Sequence, residues 1–239
     1  MNLKQISILV AVLAVIGVGA GVYLTRSPAP QPAIAGATAP ASPAAAPTGA
    51  TRAVPHGPIP GPRLEGLDFV MGHPDAPVSV IEYASLTCPH CQRLHVEVLP
   101  RIKAEYIDTG RVRWVFRDFP LDRMALNAHM LARCAGPERF FAYLDVFFGQ
   151  LQNWTAGTPD QMTQSLRRLA RLGGMSDAQM DQCLADMNVQ AAVLNQTMIG
   201  EREHRVQATP TLVVDGTVHR GGMSFDELDR VLRPLAGSR

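Results

Sequence analysis

Residues 85–91 read Ser-Leu-Thr-Cys-Pro-His-Cys and follow directly on Val78–Ala84, VSVIEYA. Val78–Ala84 is β-branched and aromatic, with Pro74 and Pro77 just before it, so it predicts a central strand entered from a loop. Beyond the cysteines, Leu94, Val98, Ile102 and Tyr106 recur at four-residue spacing, the apolar stripe of an amphipathic helix. The two cysteines therefore stand where a strand turns into a helix. A C-x-x-C pair can be half of a zinc site, a structural staple or a redox-active dithiol. Zinc needs two further ligands of similar type, and no second C-x-x-C or H-x-x-H is present. A staple across so short a loop gains little chain entropy.

The local geometry favours the dithiol. With Pro89 suited to the first helical position, Cys88 falls at the N-cap. The amides of His90 and Cys91 then point at its sulfur, and the helix dipole adds positive potential there. A protonated His90 adds a nearby positive charge. All three favour a thiolate, and a thiolate so stabilised makes the disulfide a strong oxidant. Cys88 is expected to be the exposed, attacking sulfur and Cys91, one turn on, the buried resolving thiol.

Outward from this core, Pro100 should kink the helix without ending it, and Gly110 should end it. Val112–Phe116 (VRWVF) predicts a second strand. Residues 121–205 are helical in pattern throughout: Phe140, Leu144, Phe147, Phe148 and Leu151 share a face behind Pro137, taken as a first helical position. Thr158 with Gln161, and Ser176 with Gln179, are capping boxes, and a last long helix is expected over Asn188–Arg205. Thr211–Val214 and Thr217–Arg220 flank Asp215-Gly216, the two-residue turn of a hairpin. Ser224 with Glu227 caps a closing helix to about Leu235. The order predicts an α/β fold, a mixed sheet flanked by helices with an inserted helical subdomain at 121–205. Cys134 and Cys183 both fall in that block, where a disulfide between them is the expectation in an exported chain.

The chain has 239 residues and a formal charge of +1, which gives no reason to expect nucleic acid as a partner. Behind Lys4, the run Ile6–Leu24 is apolar apart from Ser7 and small glycines. It matches the roughly 20 residues of a membrane span and favours a retained anchor over a signal cleaved near Val18-Gly19-Ala20. Lys4 places the N-terminus in the cytoplasm and the rest of the chain outside it. Residues 27–63, rich in Pro, Ala, Gly and Thr, read as a semi-rigid linker, so the folded domain is expected over 64–239. His95, His129 and His204 read as surface or helix-face histidines. Asn153-Trp154-Thr155 and Asn195-Gln196-Thr197 match the glycosylation pattern but fall in helical segments and are discounted.

From Phe69 to Leu235 the chain resembles the DsbA-type thiol:disulfide oxidoreductases, thioredoxin-fold proteins of the bacterial cell envelope. The resemblance rests on Gly-His-Pro-Asp-Ala-Pro at 72–77, on IEYASLTCPHC at 81–91 and on Ala-Thr-Pro-Thr at 208–211. It implies that Pro210 is the family's cis-proline, which with Thr209 offers backbone groups to an extended substrate chain. It implies that Glu82 is the buried acid beneath the disulfide, its pKa raised by desolvation, relaying a proton to or from Cys91. It further implies oxidation of reduced or unfolded exported proteins in the periplasm or envelope, reoxidation by a quinone-linked membrane partner, and neither cofactor nor metal. No dimerisation segment is evident, so a monomer is expected. Thr209 keeps open an isomerase or reductase of the same fold; a metal- or peptide-binding chaperone is the alternative of a different class.

Overall fold

The structure, a computed structural model, describes residues 68–237. The anchor expected at 6–24, the linker at 27–63 and the domain start at 64 lie outside the described residues.

A five-stranded sheet runs in the order β1-β3-β2-β4-β5. β2 (Val78–Ala84) pairs parallel with β3 (Val112–Asp118), and β1 (Phe69–Met71) lies antiparallel on the far side of β3. On the other side β4 (Thr211–Val214) pairs antiparallel with β2, and β5 (Thr217–Arg220) with β4. β2 and β3 are buried at every residue, as strands covered on both faces must be. Alternation sorts their side chains. Val78, Val80, Glu82 and Ala84 share one face with Val112, Trp114 and Phe116 of β3 and Leu212 and Val214 of β4. Ile81, Tyr83, Val115 and Val213 take the opposite face. Between β4 and β5, Asp215 and Gly216 both have positive φ (43° and 86°), as the mirror-image turn of a tight hairpin requires.

The helical path after β2 is α1 (Pro89–Arg93), a π-helical turn over Leu94–Val98, α2 (Leu99–Ile102) and a second π turn over Lys103–Ile107. Pro100 does not end the helix: it sits inside α2, and the wider turns on either side absorb its missing donor. Leu94, Val98, Ile102 and Tyr106 are buried against the sheet together with α9 (Phe225–Leu235). The inserted block comprises α3 (Arg123–Cys134), α4 (Phe140–Gly149), α5 (Leu151–Trp154), α6 (Pro159–Leu172), α7 (Asp177–Ala185) and α8 (Met187–His204). Its core continues from Phe140, Phe147, Phe148 and Trp154 to Cys88 and Cys91, so the subdomain forms one wall of the active-site region. Cys134 on α3 and Cys183 on α7 are joined by a disulfide across this block.

The capping boxes at Thr158/Gln161, Ser176/Gln179 and Ser224/Glu227 form as expected, each satisfying two amides that a helix start leaves open. Two details differ from the sequence expectation. Pro137 lies in the turn before α4, whose first residue is Phe140. β1, too short to carry a periodic signal, was not anticipated.

α8 crosses the Tyr83 face of the sheet at Gly200, where an added Cβ would stand 2.7 Å from Tyr83 Cε1 and 2.9 Å from Cδ1. The Tyr83 hydroxyl accepts from Arg117 (2.7 Å) and meets His204 Nδ1 (2.9 Å), so the ring is anchored. Gly200→Ala is expected to destabilise the fold by about 1–3 kcal/mol, read as a lower urea midpoint at unchanged slope.

Candidate active site

Cys88 has extended backbone (φ −88°, ψ 119°) and is the N-cap of α1, with Pro89 as the first helical residue. Its thiol is brought down to about 5. The largest cause is the hydrogen bond from the Cys91 side chain. Burial opposes it, and the Thr209 side chain and the amides of Cys91 and His90 add to it. The His90 amide reaches Cys88, and its imidazole stands exposed at the surface. Cys91 goes the other way. Burial pushes its thiol well up, reinforced by its hydrogen bond to Cys88 and by the negative charge of Glu82. One sulfur is thus set to be a thiolate and its neighbour a thiol.

Cys88 is less open than expected, at 5% exposed against 0% for Cys91. Thr209-Pro210, joined by a cis peptide bond, lies against it, and the Cys88 sulfur is 3.4 Å from the Thr209 carbonyl oxygen. The Pro210 carbonyl accepts from the Gly221 amide (2.9 Å), which pins the loop to the end of the hairpin.

The loop that presents Cys88 is tied on several sides. Ser85 Oγ accepts from the amides of Thr87 (3.4 Å) and Leu121 (3.3 Å), and Thr87 Oγ1 donates to Asp122 (2.6 Å). The Leu86 amide donates to His129 Nε2 (3.3 Å), which assigns the ring proton to Nδ1, 2.7 Å from Asp118 Oδ1. Asp118 is buried; burial would raise its pKa, but Arg133 and His129 outweigh that and hold it below the usual carboxylate range. His129 is therefore a core residue that supports the active-site loop, not a surface histidine.

Glu82 is completely buried, as the resemblance implied, but not among apolar groups alone. Trp114 Nε1 donates to its Oε2 at 3.0 Å, and His95 Nε2 lies 2.9 Å from Oε2 and 3.1 Å from Oε1. His95, read as a surface or helix-face histidine, lies on the inward face of its helix, buried between Phe148 (stacked, 4.3 Å) and the edge of Phe116 (5.8 Å). Its spacing of four residues from Cys91, on the inward face of the helix, was the available signal. His204 is the one of the three that stays partly exposed. Among the described residues no cluster of three or more His, Cys, Asp or Glu side chains could hold a metal ion.

A strand-to-helix dithiol beside a Thr-Pro loop, on a mixed sheet with a helical insertion, defines a thioredoxin-fold protein. The profile of the Thioredoxin family matches residues 65–233. The crystal structure of Wolbachia pipientis alpha-DsbA1 superposes with a TM-score of 0.67 at 30% identity, covering 75% of this chain and 92% of that one. The chain belongs to the DsbA family of the thioredoxin superfamily. Oxidised BdbD from Bacillus subtilis shares the fold (TM-score 0.64, 20% identity, 71% of this chain and 93% of that one). A Rickettsia conorii protein that bears a protein-disulfide oxidoreductase name is 31% identical over 167 residues, 70% of this chain and 59% of that protein. The chain spans about three fifths of the length of the curated Rickettsia relatives it matches.

In the reduced protein, absorbance of the Cys88 thiolate is expected to titrate with a midpoint near pH 5. The folded value lies below the ordinary thiol value of about 8.5. Cys88 therefore stabilises the reduced fold increasingly as pH rises from about 5 towards that value, and this contribution is lost as pH falls through about 5. Unfolding of the reduced protein followed across pH 4–8 checks the sign.

Proposed function

We propose that this chain is a cell-envelope protein-disulfide oxidase that introduces disulfides into exported proteins through Cys88 and Cys91. The observation that carries the reading is the inequality of the two sulfurs: a Cys88 thiolate and a Cys91 thiol make the reduced state favourable, and so make the disulfide a strong oxidant. A substrate thiolate attacks Cys88 Sγ, the Cys88–Cys91 bond breaks, and Cys91 leaves as a thiolate that takes up one proton from solvent, relayed by the Glu82 carboxylate. A mixed disulfide then joins substrate to Cys88. A second substrate thiolate attacks the substrate sulfur of that bond, and Cys88 departs as a stabilised thiolate. Two electrons have passed from substrate to enzyme, and the substrate holds a disulfide.

The cis bond to Pro210 turns the Thr209 backbone amide and carbonyl towards an extended substrate segment passing the sulfur. Reoxidation returns the two electrons to a quinone-linked membrane partner. The apolar run at 6–24 supports export and tethering, and the Cys134–Cys183 disulfide suits an oxidising compartment. Among the described residues no helix is long and apolar enough to cross a membrane. The domain acts as a monomer, without cofactor or metal.

Equilibration with glutathione is expected to give a potential nearer to about −120 mV than to the −270 mV or so of a reductant such as thioredoxin; a value at the thioredoxin end overturns the oxidase direction. Cys88→Ser and Cys91→Ser should each abolish oxidation of a reduced, unfolded protein, since neither can form the Cys88–Cys91 disulfide; supplied with oxidised glutathione, Cys91→Ser should instead hold a glutathione mixed disulfide at Cys88. A phosphatase that folds only outside the cytoplasm, fused after residue 239, is expected to be active.

A further inference from the structure

Glu82 sits in the middle of the sheet face that Cys91 covers, and its negative charge is felt at the Cys91 sulfur. A carboxylate buried without donors would lose its charge by taking a proton. Two donors come from other elements. Trp114 supplies Nε1–H from β3, 3.0 Å from Oε2. His95 supplies Nε2, 2.9 Å from Oε2, from the π turn that follows α1. The other His95 nitrogen, Nδ1, is buried and has no partner. A bare lone pair is the cheaper group to leave alone there than an N–H, which assigns the ring proton to Nε2, facing Glu82. Stacking on Phe148 and edge contact with Phe116 hold the imidazole in that orientation. α1 thus carries Cys88 at its N-cap and Cys91 one turn in, and His95 follows four residues after Cys91.

We propose that His95 is a positioning residue for the exchange reaction: by donating Nε2–H to Glu82 it holds the carboxylate and its charge under Cys91, and so keeps the proton on Cys91 when Cys88 is the thiolate. The Cys91 S–H retained in this way is the group that donates to the Cys88 thiolate. The inference rests on the oxidoreductase reading and deepens it by naming the residue behind Glu82. The groups facing the pair are few. Cys91 and, beyond it, Cys88 face it from α1, Trp114 from β3, and Asp145 from α4, where it is coupled to His95 and also to Lys103.

The test reads the Cys91 titration midpoint in a Cys88→Ala background, which removes the other sulfur and leaves burial and Glu82 as the main influences on Cys91. The midpoint, not the alkylation rate, is the readout, because loosened packing changes access without moving it. Glu82→Gln is expected to lower the midpoint. His95→Leu, which deletes the donor, should lower it in the same direction by about tenfold in acid dissociation constant, roughly one pH unit. His95→Gln carries an N–H near the position of Nε2 and should restore most of the shift. In the Glu82→Gln background, His95→Leu should add less than about twofold, since coupled residues fail to add. An unchanged or raised midpoint in His95→Leu, or a Gln variant that behaves like Leu, overturns the proposal. If His95→Leu does not fold, ring-nitrogen NMR of the wild type decides: the Nε2–H tautomer is expected, and the Nδ1–H tautomer overturns the assignment. Failure of the wild type to oxidise dithiols would refute the oxidase reading while leaving the Cys91 titration interpretable.

Discussion

The structure turns on the meeting of one sulfur with the open end of one helix. A helix start leaves amides without partners, and Cys88 is placed where those of His90 and Cys91 converge. That contact asks for a strand ending at residue 84, a short loop, and a proline that begins the helix without needing a donor. The rest of the fold keeps this junction from relaxing. β2 is central in the sheet, the loop at 85–87 is tied to Leu121, Asp122 and His129, and the Thr209-Pro210 loop closes over the sulfur.

The same junction divides the two cysteines chemically. Cys88, at the end of the helix, collects donors; Cys91, one turn in, is walled off by the aromatic core of the helical subdomain and faces the charge of Glu82. The insertion is thus more than an appendage: its residues Phe140, Phe147 and Phe148 belong to the same packed cluster as both sulfurs. Changes in that cluster reach the reaction through burial of Cys91, without touching a substrate.

Local patterns were legible wherever one residue type has one physical use. Three capping boxes, the Asp-Gly hairpin and the buried central strand form at the positions the sequence indicates. Pro137 shows the limit, because a proline ahead of an apolar stripe fits either a first helical turn or the bend before it, and here it is the bend. His95 and His129 show another: amphipathic spacing marks a helix face, but not whether a polar residue on it meets a carboxylate from a distant strand. Their partners are 13 and 11 positions earlier in the chain, and only the packing of helix on sheet brings them together.

The strand-to-helix dithiol and, β1 apart, the order of elements around it were set by the sequence alone, because these depend on short-range capping, periodicity and spacing, while the family was legible through the resemblance of its motifs at 72–77, 81–91 and 208–211. Only the tertiary structure decided which groups attend the two sulfurs. It covered Cys88 with the Thr209-Pro210 loop, left the His90 imidazole outside, and set His95 and Trp114 on Glu82. The physical reason is the same in each case: the charge of a buried group depends on partners fixed by long-range packing, which spacing along the chain does not record.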